Sequence, residues 1–349
     1  MKQLEQSLTE GSLGKKMFLF SLPLMLSNLL QVLFNMADIA VVGKFAGSNA
    51  LGSVGSTAIL VTLFTSFLIG VGGGINVLVA LHIGAGNKKE AKETITTAYV
   101  LCLCMGILLL LVGISSARGI LSLMNTKPEL IDGAVLYLRI YFLGLPAVGV
   151  YNCGNAILSA AGDTKRPLYY LAFAGVVNVI LNLFFVIVCH LGVAGVALAS
   201  MISQFISAFL ILRALLTGKE KYCLRLSEIR FDKRKAAGIL QIGIPSAFQY
   251  SLFAFANLFV QSSVNSFDHI LVEGNSAAAN ADPLVYDMMA AFYTACSSFI
   301  AQNFGARKKK RILQTYLICL FYSFITSLVL GVGIYLARYP FLYLFTSDK

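Results

Sequence analysis

Few residues in this chain are of types and spacings that could do chemistry. In LLQVLFNMADIAVVGKFAG (29–47) a single carboxylate, Asp38, interrupts an apolar run. A charge at the centre of a bilayer costs about 2.5–3.5 kcal/mol on insertion scales, so an acid kept there points to a function. Asn178 and Asn182 in NVILN are four residues apart and share a helix face. Ser200 stands in GVAGVALASMISQ (192–204). Gln31 and Asn35 precede Asp38 on one helical stripe, and Tyr137 and Tyr141 form another pair four apart. At a rise of about 1.5 Å per residue, Asp38, Asn178, Asn182, Ser200 and Tyr141 all fall in the outer half of their helices. One carboxylate, two amide oxygens and a hydroxyl at one depth make an oxygen-rich pocket for a small hard cation. A desolvated carboxylate could equally hold a proton. Either exchange could switch the protein between states of different ligand affinity. The competing reading of Asp38 is a hydrated acid near a helix end, beside Lys44. For each Asn alone, it is a helix–helix hydrogen bond of about 0.6 kcal/mol.

The elements that must position these residues are membrane helices. The 349 residues are 58% hydrophobic and 12% charged, with mean hydropathy +0.79, whereas soluble domains are about 25% charged. Apolar runs give nine spans, at 17–42, 51–85, 93–117, 133–158, 167–189, 192–216, 236–265, 277–303 and 312–338. The first is too long for a cleaved signal. The second is too long for one straight span and is expected to run into water at GAGNKKEAKE. Lipid-facing strands are excluded, because an open sheet edge cannot be satisfied in hydrocarbon. All but six of the 27 Lys and Arg lie in the N-terminus and the even-numbered loops, including RKKKR at 307–311. That asymmetry places the N-terminus in the cytoplasm of a multi-pass plasma (bacterial inner) membrane protein. The net charge of +11 is therefore a signal of topology and lipid attraction, with no nucleic-acid partner.

Other features carry less. The seven cysteines show no metal spacing and, apart from Cys223, lie in apolar runs where thiols pack as small hydrophobes. GVGGGIN (70–76) lies inside a span, so close helix packing is expected there and a phosphate loop is not. His82, His190 and His269 lie near span ends. Pro23, Pro146 and Pro245 lie inside spans as kink or hinge points. Asp282 sits near a surface, and Asp287, deeper, is a candidate for the substrate cavity or a second coupling site. No nucleophile–base pair appears, so the chain does not read as an enzyme, and no cofactor is expected beyond a coupling ion.

The long basic segment RALLTGKEKYCLRLSEIRFDKRKAAG (213–238) divides the chain, and the residues beyond it resemble those at its beginning. FLFSLPLMLSNLLQ (18–31) matches LQIGIPSAFQYSLF (240–253), and HIGAGNKKEA (82–91) matches NFGARKKKRI (303–312). RGILSLMNTK (118–127) matches YPFLYLFTSD (339–348). The offset is 222 at the prolines and 221 afterwards. Such repeats imply two similar bundles related by an axis along the membrane normal. The expected organisation is a cytoplasmic N-terminus (1–16), a six-helix bundle (17–216), a basic linker (217–235) and an incomplete second bundle of three helices (236–349). That is nine of an expected twelve spans, hence a C-terminal truncation.

LPLMLSNLLQVLFNMADIAVVG, GAGN, LSAAGDTKRP, NVILN, GVAGVALASMISQ and QNFGA, in this order and spacing, resemble the MATE family of multidrug and toxic-compound extrusion transporters. The resemblance implies an all-α integral membrane fold of two six-helix bundles. It also implies antiport, in which Na⁺ or H⁺ enters as a small organic, often cationic, compound leaves, and the protein is expected to be a monomer in contact with membrane lipids. In the branch with an acid-rich first bundle, positions matching Asp38, Asn178 and Ser200 help form the cation or proton site, and that of Gln31 lines the same cavity. With Asn182 these make the expected coupling site, and Gln31, Asn35, Tyr137, Tyr141 and Asp287 the expected substrate cavity. This chain departs at Asn182, where that branch has a second Asp, and at Phe253, where another branch has a Glu. Two other readings compete: a flippase for lipid-linked oligosaccharide, which shares the two-bundle plan but calls for a basic cavity, and a truncated membrane protein without transport activity.

Overall fold

The computed structural model of the chain describes residues 8–124, 126–217, 230–264 and 281–339. Most of the basic linker, His269 and nearly all of the third repeat segment (340–348) lie outside them. The described residues form ten helices: α1 (Leu13–Val41), α2 (Ser48–Gly84), α3 (Lys88–Leu123), α4 (Pro128–Phe142), α5 (Leu145–Ala160), α6 (Lys165–Leu183), α7 (Gly192–Thr217), α8 (Lys233–Val264), α9 (Ala281–Gly305) and α10 (Lys309–Leu336). A single π-helical turn extends α1 over Val42–Ala46 and α6 over Phe184–Val188.

Among the described residues, six helices are long and apolar enough to cross a membrane, and α4 with α5, bent by 47°, adds a broken seventh. Large apolar side chains such as Leu111, Val188, Phe209, Phe324 and Val329 stand exposed on the outer faces, as lipid contact requires. The other two expected spans, α8 and α9, are less apolar, and both pack on α2.

One local expectation is corrected. The fourth span is not one helix over 133–158. Pro146 in the first turn of α5 has no N–H to give and no room for a carbonyl four residues back, so the chain breaks at Leu143–Gly144. Gly106 of α3 fits under the break, where a Cβ would lie 2.6 Å from Pro146 Cα. The second expected span, 51–85, is α2. It stops at Gly84, Gly86 turns left-handed at φ +70°, and the Asn87 side chain accepts the Glu90 N–H (3.3 Å) to cap α3. A Cβ at Gly86 would meet nothing, so any cost there is conformational. Gly86→Ala is expected to destabilise by about 1–2 kcal/mol, read as a lower thermal midpoint in detergent, and an unchanged midpoint contradicts the left-handed turn.

The internal repeat reappears as reciprocal packing. α8 lies along α2, as α9 lies along α1. Where α2 crosses α9, Gly84 meets the Gln302 backbone and Gly305 meets the Leu81 backbone. Leu81 and Gln302 are counterparts at the offset of 221, as are Gly84 and Gly305. Contact of i with j and of j with i is the signature of a two-fold axis, here passing between α2 and α9. Arg307, the counterpart of Gly86, also takes a positive φ, 58°. Lipid tails give helices no hydrophobic reason to associate, so close approach at small residues holds this seam. A Cβ on Gly70 would lie 2.5 Å from the Ala247 nitrogen of α8, as expected for GVGGGIN as a packing motif.

Candidate functional site

α1, α6 and α7 build the site. Gly175 of α6 leaves room for the Phe34 ring of α1, which a Cβ would overlap. The two helices therefore run close together, and Asn178 and Asn182, one and two turns beyond Gly175, come beside Asp38, one turn beyond Phe34. α7 packs on α6, and Gly195 brings its first turns against Phe185. Ser200 then faces the same point. Both π-helical turns start within four residues of Asp38 or Asn182 and touch each other. Such turns recur at functional sites because they re-aim the flanking side chains.

The four expected coupling residues meet in one hydrogen-bonded ring. Asn182 Nδ2 donates to Asp38 Oδ1 and to Asn178 Oδ1 (3.3 Å). Ser200 Oγ donates to Asp38 Oδ2 (3.3 Å) and accepts from Asn178 Nδ2 (3.5 Å). Asn178, Asn182 and Ser200 are buried and Asp38 is half-buried. Both carboxylate oxygens thus accept a donor, which suits the ionised form; hydrogen bonds to a charged group contribute about 1.5–3 kcal/mol each. Asn182 Oδ1 is buried without a partner. A buried lone carbonyl oxygen beside a carboxylate, a second amide and a hydroxyl is a donor set for a hard cation.

Tyr137 and Tyr141 stack with centroids 5.9 Å apart, within electrostatic reach of Asp38. Gln31 and Asn35 share the α1 stripe but lie exposed, outside the ring. Asp287 is remote from it. Its backbone carbonyl accepts the Asn28 side chain (2.6 Å), and Tyr250 and Tyr286 are its neighbours.

Two features escape the sequence reading. Gln204, one turn beyond Ser200, lies beside Tyr141 with its Oε1 buried and unpartnered; its place at i+4 from Ser200 was the available signal. Polar bonds also join α9 to the helices before the linker. Ser298 donates to Asn76 Oδ1 (2.9 Å), and Gln302 Nε2 donates to the Ala160 carbonyl (2.7 Å).

A family model described as MatE matches residues 23–184 and 245–349. "Probable multidrug resistance protein YpnP" of Bacillus subtilis is 31% identical over 305 residues, 87% of this chain and 68% of its own length. The "FAD transporter" of Shewanella oneidensis is 24% identical over 348 residues, covering 98% of this chain and 76% of that protein. A solved structure described as "Outward-facing conformation of a multidrug resistance MATE family transporter of the MOP superfamily" superposes with a TM-score of 0.92 at 23% identity. The match covers 100% of this chain and 77% of that one.

Proposed function

The chain belongs to the MatE family, and from that premise we propose that it is a membrane transporter, a secondary antiporter exporting small organic compounds, many of them cationic, against inward Na⁺ or H⁺. The ring around Asp38 is the observation that carries this reading. Three helices are tied together through one carboxylate whose charge must be balanced. A cation held by Asp38, Asn178 and the unpartnered Asn182 Oδ1, or a proton on Asp38 itself, loosens or replaces the bonds from Asn182 and Ser200. Loading the site then shifts α1 against α6 and α7, and differential affinity for the two arrangements converts the ion gradient into export. The basic ends of the helices face the cytoplasm in this reading, with the N-terminus inside, in a bacterial inner membrane. Tyr137 and Tyr141, stacked beside the acid, give an organic cation a π face to lie on. A relative named as an FAD transporter supports including polyhydroxylated aromatic compounds among the substrates.

Inside-out membrane vesicles test the proposal. With Na⁺ loaded inside, or with the interior acidified, they should accumulate ethidium above vesicles that lack the protein. No protein-dependent accumulation under either gradient contradicts it.

A further inference from the structure

A second polar site lies away from Asp38, at the seam between the two repeats. α2, α5, α8 and α9 line a partly open cavity of about 120 Å³, smaller than the cavity of about 150 Å³ that accommodates a benzene ring. Asn152, Asn155 and Ser159 reach it from α5, and Ser246, Tyr250 and Tyr293 from α8 and α9. Among the described residues, not one Lys, Arg, Asp, Glu or His lines it. Ser159 is 1% exposed, and its Oγ has no hydrogen-bond partner. A hydroxyl buried at membrane depth without a partner is costly, so this one is placed for a group that is not always there.

Most of the lining lies on the basic-end side of the four helices, with Tyr250 and Tyr293 near the middle of α8 and α9. Beyond it the helices close up, through the Gln302–Ala160 bond (2.7 Å) and the α2–α9 crossing at Gly84 and Gly305. Any movement that parts the two repeats at the basic end opens these contacts and presents the chamber to that side first.

We propose that this chamber is a loading site on the cytoplasmic side of the seam and binds uncharged hydroxyl- or amide-bearing groups of the exported compound, with Tyr250 and Tyr293 flanking an attached ring. The inference rests on the antiporter reading and adds a substrate feature to it. Amides and hydroxyls in a cavity without fixed charge discriminate by hydrogen bonding. A ligand that lacks such groups leaves these polar atoms unpaired on binding, which is how buried polar sites reject apolar analogues. The Asp38 ring, by contrast, offers charge. The two sites therefore recognise different parts of one molecule, or different molecules.

Two radiolabelled probes separate these outcomes in proteoliposomes under an imposed cation gradient. Riboflavin is neutral and carries a hydroxylated chain and an imide on an aromatic ring. Tetraphenylphosphonium is a cation with no hydrogen-bonding group. Asn155→Leu is expected to raise the half-saturating riboflavin concentration about tenfold, the scale of one lost buried hydrogen bond, and to leave that of tetraphenylphosphonium within twofold. Ser159→Ala, which removes an unpartnered hydroxyl and leaves the fold intact, should raise the riboflavin value about threefold. Equal shifts for both probes, no shift in either variant, or wild-type protein that carries tetraphenylphosphonium but not riboflavin would each overturn the chamber assignment. Wild-type protein that carries neither probe under either gradient overturns the antiporter reading itself.

Discussion

Asp38→Asn is expected to reduce gradient-driven export to the background of membranes lacking the protein, a loss of at least about tenfold, or 1.4 kcal/mol of coupling. The substitution is isosteric. An amide at position 38 can still accept from Asn182 or Ser200, so the ring keeps much of its geometry. What goes is the exchangeable charge. Folding should therefore survive, with a thermal midpoint within a few degrees of wild type, while ethidium efflux and the resistance it confers disappear. Ser200→Ala removes one donor but keeps the exchangeable charge, so export should fall yet stay above that background. Wild-type efflux in Asp38→Asn, at equal protein in the membrane, would show that the acid is a hydrated group near a helix end and no part of coupling.

Gly74→Ala is expected to cost about 3 kcal/mol, the upper end of overpacking penalties, and to deplete folded protein in the membrane. A Cβ there would overlap the Ile239 carbonyl of α8 and lie 3.0 Å from the Gly243 nitrogen. These are backbone atoms on a facing helix, which cannot rotate away as a side-chain tip would. The neighbouring Gly73 is the control, since a Cβ on it meets nothing within 4 Å. Gly73→Ala should leave stability unchanged or raise it by up to about 1 kcal/mol through helix propensity. Size-exclusion profiles and thermal midpoints of the two variants should move in opposite directions. Equal effects would mean that α2 and α8 do not meet face to face at Gly74.

The ring around Asp38 was legible because it rests on arithmetic that a helix enforces. Asn178 and Asn182 share a face whatever they pack against, and counting from the helix starts places them level with Asp38 and Ser200. The same arithmetic puts Gln31 and Asn35 on the Asp38 stripe and says no more. Periodicity assigns a stripe but not a partner, and the bonds to Asp38 come from α6 and α7. Gln204 was hidden because an amide one turn past Ser200 in an apolar run reads as ordinary helix–helix glue. What sets it apart is its place beside Tyr141, a tertiary fact. The repeat foretold a two-fold arrangement, but not that the axis would fall at Gly84 and Gly305. That depends on which helix of each bundle faces its counterpart. Pro146 marked a kink, and the clean break came from Gly106 accommodating it on α3. The end of α2 was legible to within one residue, because the apolar run gives way to GNKKEAKE just where the left-handed turn at Gly86 follows.

The proposed mechanism turns on a cation that exchanges at Asp38 as an organic compound crosses. Its sharpest test is counterflow in proteoliposomes carrying both a Na⁺-sensitive and a pH-sensitive dye, recorded while ethidium moves. With wild-type protein one of the two ions should move opposite to ethidium, and with Asp38→Asn neither should. Ethidium transport with neither ion moving, or the same counterflow in Asp38→Asn, would contradict that mechanism.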